Sequence, residues 1–393
     1  MTAPRVVAGA TVTAEISRHG NEMVDFLAEV VNQDSPSTNK ALCDKVGALF
    51  TERASQVGFA VERDPQEAYG DNLVARLAGT GDAVPVLLVG HMDTVFEDDT
   101  TRERPFTVKG DQAFGPGVYD MKAGLVIGLY AIAAARALSD DWRLPLTFVF
   151  NTDEEPGSPR SRDAILREAA NASCALILEP GTYPHELTVE RKGVGIFELR
   201  SHGRAAHAGV EPEKGVNSIV DLAGRLLAAA GLADPALGTS VNVGTIAGGT
   251  QPYVVPAECA AKLDVRVPTL AEQARIEQGL RAIAAGAGVD GATVELLGSF
   301  HRPPMELNDG GRTLLRRVEA AAESVGYPLR AAPRCGGASD GNLTAGLGLP
   351  TIDGMGADGG FAHRPDEYID LPSLVGKASV LCSLLLDLNA SLD

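Results

Sequence analysis

The chain has 393 residues, 45% of them hydrophobic, with 34 Lys+Arg against 52 Asp+Glu and a formal net charge of −18. At roughly 150 residues per domain this is two to three domains, and the apolar content is enough to fill a core, which excludes wholesale disorder. A surface this acidic repels a phosphate backbone, so nucleic acid is not an expected partner.

No stretch approaches about 18 consecutive apolar residues, so no membrane-spanning helix and no membrane partner are expected. The segment before Glu15 has no sustained apolar run, which argues against a secretory signal and makes the cytoplasm the expected location. The five cysteines, Cys43, Cys174, Cys259, Cys335 and Cys382, are widely spaced and form no C-x-x-C pair, as expected of buried thiols in a reducing compartment.

In chain order, apolar residues at helical spacing (Met23, Phe26, Leu27, Val30, Val31) predict helix from Asn21 to about Phe50. Short apolar runs then predict buried strands at Asn72–Leu77, Pro85–Val89, Leu146–Phe150 and Ala175–Leu178. Between the second and third, Lys122 to Leu138 is apolar nearly all round and predicts a helix sandwiched in the interior. Strands alternating with helices predict an α/β domain with a mostly parallel sheet.

The middle of the chain changes character. Strand Gly195–Ser201, helix Val216–Ala230, strands Ser240–Ile246 and Cys259–Val267, helix Leu270–Ala285 and strand Thr293–Leu297 spell β-α-β-β-α-β, a ferredoxin-like unit. Helix is expected again at Thr313–Ser324 and Leu374–Leu388, in a stretch too short and open for a third core. The predicted organisation is an α/β domain over residues 1–186 and 300–393, interrupted by an inserted domain over 187–299.

Three of the buried strands run directly into residues that bind metals: one into His91-Met92-Asp93, one into Asp153-Glu154-Glu155, one into Glu179. In open α/β sheets, ligands bind beyond the carboxyl ends of the strands. Asp120 follows a Gly-Pro-Gly turn just before the buried helix, and a late Gly-rich loop supplies His363. Taken singly, each of these residues also fits a helix cap or a turn. Together they favour a metal site, because several carboxylates buried in one place cost several kcal/mol each unless a cation compensates.

The segments GHMDTV (90–95), GPGVYDMKAG (115–124), NTDEEPGS (151–158), LEPG (178–181) and FAHRPDEYI (361–369) resemble, in order, those of the dinuclear-zinc M20 metallopeptidases. The resemblance includes HGRAAHAG (202–209) and DVRVP (264–268) and is strongest to the glutamate carboxypeptidase (carboxypeptidase G) branch. It implies a zinc-peptidase-like α/β catalytic domain with an inserted lid and dimerisation domain that closes over the site, and two zinc ions about 3.5 Å apart. Asp120 would bridge the ions, His91 and Glu179 would complete one and Glu155 and His363 the other; cobalt or manganese would also suit these donors. The same resemblance makes Glu154 the general base for a metal-bridging hydroxide and Asp93 the residue that orients His91. It makes His207 an oxyanion donor, Asn242 a substrate contact and Arg266 the grip on a substrate carboxylate. It further implies a cis bond between Asp120 and Met121 and a homodimer built on the inserted domain.

The activity so implied is hydrolysis of an amide beside a free carboxylate, as in a carboxypeptidase releasing C-terminal glutamate. Deacylation of acetyl- or succinyl-amino acids is the alternative, and a catalytically silent metal- or peptide-binding relative a remote one. The G-x-S-x-G run at 337–341 fits a serine nucleophile elbow in spelling only, since no buried strand precedes it; the roles of Ser339 and Asp340 stay open.

Overall fold

The computed structural model describes residues 7–80, 82–181 and 184–392. The chain divides into two compact units: Met1–Glu190 with Leu307–Cys335 and Ser339–Asp393, and Arg191–Glu306 with Gly336–Ala338.

The first unit is built on a six-stranded sheet in the order Ala60–Asp64, Asn72–Leu77, Leu146–Asn151, Val86–His91, Cys174–Ile177, Thr351–Ile352. The last three pairings are parallel and the first two antiparallel. The central strands are apolar without alternation because both faces are covered. Leu88, Phe148, Phe150 and Leu176 enter the main core with the helices Ala123–Leu138 and Leu371–Ala390. Their neighbours Leu87, Val89, Val149 and Ile177 pack on the opposite side against Ile165 and Leu343.

The first unit differs from the sequence reading in two details. The helix expected from Asn21 to Phe50 is two helices, Gly20–Val31 and Lys40–Val57. Asn39 caps the second by accepting from Leu42 N, 3.3 Å, as an N-cap residue does. Two helical stretches, Val118–Leu138 and Leu371–Ala390, are long and apolar enough to span a bilayer, which counting uninterrupted apolar runs had excluded. Both line the core, 78% and 56% buried over their most apolar windows.

The first of these helices lies tight against the sheet. A Cβ on Gly124 would sit 1.9 Å from the Leu178 carbonyl oxygen, so only glycine lets the helix start approach the end of the strand Cys174–Ile177.

The second unit is a four-stranded antiparallel sheet in the order Ser240–Gly248, Glu258–Val267, Gly193–His202, Thr293–Arg302. Helices Ser218–Ala230 and Leu270–Ala285 share a core with it that includes Phe197, Leu199, Leu263, Val265, Ile276 and Leu280. Asn217 and Thr269 cap the helices. Strand Thr293–Arg302 runs through position 299, so the unit ends at Glu306 and not where the apolar pattern fades. On helix Ser218–Ala230, Leu222 and Leu226 are buried in this unit's own core, while Ile219 and Leu227 are exposed.

Candidate metal centre

Strand polarity builds the site. Val86–His91 and Leu146–Asn151 are parallel neighbours, and Val86–His91 is also parallel to Cys174–Ile177. His91, the turn 151–158 and Glu179 therefore emerge at one edge. Asp120 enters from the stretch between Gly117, in the left-handed region at φ 73°, and the helix at Ala123; its bond to Met121 is cis.

These residues meet in two groups. His91, Asp120 and Glu179 form one, and Asp120, Glu155 and His363 the other, each with its donor atoms within 4.8 Å of one another. Asp120 belongs to both. Its Oδ1 lies 3.1 Å from His91 Nε2 and its Oδ2 3.1 Å from His363 Nε2. Glu179 Oε1 is 3.5 Å from His91 Nε2, and Glu155 Oε2 is 3.2 Å from His363 Nε2.

The protonation states expose the tension in this cluster. Burial opposes a charge on His91, yet Glu179, Asp120 and Asp93 hold its pKa well above the usual imidazole value. Donation from its ring N–H to the carboxylates of Asp120 and Glu155 pushes His363 up to about 10. Burial also opposes the charge on Asp120, but His363 and His91 keep it well below the ordinary carboxylate range. Burial pushes Glu155 and Glu179 upward, with the charge of Asp120 adding to both. Three carboxylates thus crowd two imidazoles, and the cluster without a cation favours protons on its members.

Divalent cations fit this donor set. Glu155 Oε1 is buried and has no hydrogen-bond partner among the described residues, as expected of an oxygen that faces a cation. His91 Nδ1 lies 3.0 Å from the main-chain oxygen of Asp93, so Nδ1–H donates there and Nε2 is the nitrogen turned to the cluster.

Asp93 orients His91 mainly through that carbonyl, its carboxylate being farther away at 3.4 Å. The carboxylate has other partners: it accepts from Ser37 Oγ, 2.6 Å, and from the main-chain N–H groups of Glu154 and Glu155, both 3.3 Å. Glu154 is half-buried, and its charge reaches Glu179.

The sequence reading missed the outer supports. Asp340 accepts from Ser158 Oγ, 2.6 Å, and from Asn151 Nδ2, so it closes the turn that carries Glu154 and Glu155. Ser339 Oγ is buried and donates to Asp353, 2.6 Å; it is a structural link and not an exposed nucleophile. Glu367 is 1% exposed, its carboxyl is pushed up to about 7 by burial, and it accepts three main-chain N–H groups around Asp120. The one signal for Glu367 was its place in FAHRPDEYI.

The other three expected site residues lie in the second unit. His207 is exposed, and its Nδ1 accepts from Gly209 N, 3.2 Å, which leaves Nε2–H as the donor of the neutral ring. Asn242 is exposed on strand Ser240–Gly248, paired with Asp264. Arg266 is half-buried; its Nε and Nη2 donate to Asp264 Oδ1 and Oδ2 at 2.8 and 2.9 Å.

An α/β sheet with this donor set at its carboxyl edge defines a metal-dependent hydrolase. The chain belongs to peptidase family M20/M25/M40, whose model matches residues 87–387. It is 29% identical to carboxypeptidase G2 of Pseudomonas sp. (strain RS-16), over 94% of this chain and 89% of that protein. It is 26% identical to N-acetyl-L-citrulline deacetylase of Xanthomonas campestris, over 89% of this chain and 94% of that protein. The fold matches the solved Bacillus subtilis YXEP protein, a dinuclear metal binding peptidase of the M20 family, with TM-score 0.69 and 17% identity over 95% and 99% of the two chains.

Proposed function

We propose that this metallohydrolase holds two zinc ions and cleaves an amide bond beside a free carboxylate, as a carboxypeptidase that releases a C-terminal glutamate or similar amino acid. The observation that carries the two-ion reading is the division of Asp120, one oxygen toward His91 and the other toward His363. His91 and Glu179 would hold one ion with Asp120, and Glu155 and His363 the other. When bound, such a pair polarises the scissile carbonyl and makes water acidic enough to attack near neutral pH.

The chain's own residues do the rest. Glu154, held by its main-chain N–H against Asp93, takes the proton from the attacking water and delivers it to the leaving amine nitrogen. His207 donates through Nε2 to the developing oxyanion, consistent with its Nδ1 being an acceptor. Arg266 binds the substrate carboxylate and Asn242 contacts the substrate nearby. Asp264 occupies the Nε–Nη2 edge of the guanidinium, which leaves the Nη1–Nη2 edge for a second carboxylate in bidentate contact.

Similarity to carboxypeptidase G2 supports the carboxypeptidase reading, and similarity to N-acetyl-L-citrulline deacetylase supports deacylation of N-acyl amino acids as the second. A substrate panel separates them: zinc-loaded protein against folate-type N-acyl glutamates, acetyl- and succinyl-amino acids, and dipeptides. Preferred turnover of acetyl- or succinyl-amino acids overturns the carboxypeptidase assignment. Chelation should abolish turnover of every substrate, with Zn²⁺ or Co²⁺ restoring it; active protein without stoichiometric metal overturns the metal reading itself.

We also propose a homodimer through the second unit. Strand Ser240–Gly248 is an edge of its sheet, with Ile246 55% exposed on it. Pairing two such edges protects an otherwise open strand. Sedimentation as a species near 41 kDa at micromolar concentration counts against it.

A further inference from the structure

We infer that Glu367 is the positioning residue that sets Asp120 between the two ligand groups, acting through the main chain of the turn that delivers it. Glu367 Oε1 accepts from Tyr119 N at 2.7 Å and from Asp120 N at 3.0 Å, and Oε2 accepts from Gly117 N at 3.1 Å. One carboxylate thus gathers three N–H groups of a four-residue stretch whose last member is the shared ligand. The contact is long-range, across 247 to 250 residues of sequence, so local turn propensity does not create it.

The loop that brings Glu367 also brings His363. Its N–H groups fold it on itself, Arg364 N to Phe361 O at 3.0 Å and Glu367 N to Arg364 O at 3.2 Å. Immediately after it, Tyr368–Asp370 pairs with Gln112–Phe114, the strand that leads into Gly115 and the Asp120 turn. The two ligands that face each other across the second group, Asp120 and His363, are therefore fixed by one connection. Only an acceptor serves here. Three N–H donors converge on the side chain, and a carboxylate meets them with two acceptor oxygens. A glutamine of the same shape would turn an NH₂ group toward at least one of those donors. Backbone N–H groups left without acceptors in a buried turn rearrange or recruit water, and Asp120 moves with them.

The inference rests on the two-ion reading above, and its test separates the two. Full-length protein, Glu367→Gln and Glu367→Asp are stripped of metal and titrated with Zn²⁺ by calorimetry. The Co²⁺-loaded forms are then read by optical absorption and by magnetic coupling between the two ions. A core variant in the same unit, Leu381→Ala, controls for general destabilisation through the melting temperature of the metal-free form.

Wild type should bind two coupled ions. Glu367→Gln should weaken binding of at least one ion by roughly 10- to 100-fold, the usual effect of losing a residue that orients a ligand, and abolish the coupling. Glu367→Asp keeps the acceptors one methylene farther away and should recover part of both; it carries the test if the glutamine variant does not fold. Leu381→Ala should lose melting temperature and keep two coupled ions. Wild-type binding and coupling in Glu367→Gln overturn the inference alone. Equal loss of ions in Leu381→Ala also overturns it, because the effect is then ordinary destabilisation. A wild type that binds a single ion overturns the two-ion reading and this inference with it.

Discussion

Replacing Gly124 by alanine should damage the metal centre from outside it. The added Cβ would lie 1.9 Å from the carbonyl oxygen of Leu178 and 3.0 Å from its carbonyl carbon. Ordinary contact begins near 3.4 Å, so helix and strand must part by about 1.5 Å. Neither yields easily. The helix Ala123–Leu138 is buried along nearly its whole length, and Leu178 is tied to the sheet through its N–H to Val89 O, 3.0 Å. Overpacking of this kind costs about 1–3 kcal/mol, and the gain in helix propensity from Gly to Ala, at most about 1 kcal/mol, offsets only part of it. The net cost is about 0–2 kcal/mol, so at roughly 2–4 °C per kcal/mol for a unit of this size metal-free melting should fall by up to roughly 8 °C. The ligands should suffer more. Glu179 follows Leu178 and Asp120 precedes Gly124 by four residues, while metal–ligand distances tolerate only about 0.2 Å. Zinc affinity should therefore drop by at least about ten-fold, read by calorimetric titration beside thermal melting. The control is Gly224→Ala, at an exposed helical glycine with nothing within 4 Å of the new Cβ, which should leave zinc binding unchanged and melting equal or higher. A Gly124→Ala protein that melts and binds zinc like wild type would refute the reasoning.

Glu154→Gln keeps shape and removes the base; turnover should fall roughly 10²- to 10⁴-fold with metal content unchanged, and loss of an ion in Glu154→Gln but not in Glu155→Gln would reverse the roles of the two residues. Arg266→Lys keeps the charge and loses the planar fork, so KM for carboxylate-bearing substrates should rise roughly ten-fold or more with zinc content unchanged; an unaltered KM would remove Arg266 from the substrate site. Glu272 is held at about 2, below its usual 4.5, by Arg275 and Thr239. A group depressed on folding stabilises fully above its unfolded pKa and loses that contribution as pH falls toward the folded one. Glu272→Gln should therefore flatten the loss of stability between about pH 4.5 and 2, followed by acid unfolding monitored on the second unit, and an unchanged acid limb would rule this pair out as its cause.

The sequence was most legible where burial is two-sided. Val86–Val89 and Ala175–Ile177 are apolar without interruption because both faces are covered, and metal-binding residue types, His91 and Glu179, follow two residues after these runs. It was least legible where a partner is distant. Nothing near Asp340 announces that it will bind Ser158 and Asn151, more than 180 residues away, and nothing near Glu367 announces Gly117. The break between Val31 and Lys40 was missed because apolar spacing continues on either side of it, and Asn39 had to be recognised as a cap.

The supports share a chemistry that bears on how the centre works. Asp93, Asp340, Asp353 and Glu367 are carboxylates, each nearly or fully buried, and each accepts main-chain or hydroxyl hydrogens in the contacts that hold the site. Hydrogen bonds from N–H and O–H fix their geometry while cancelling little of their charge at a distance. The inner carboxylates Asp120, Glu155 and Glu179 therefore sit inside a second ring of acidic groups. Without cations the cluster is balanced by protons, held on His91 and His363 and favoured on Glu155 and Glu179 by burial, while burial opposes the charge on His91. The ring that orients the ligands thus also raises the pull on a divalent cation. Replacing one of its carboxylates by an amide changes both effects together, whereas Gly124→Ala moves the ligands and leaves the charge intact. Comparing the two kinds of variant separates placement from field in the affinity of the site.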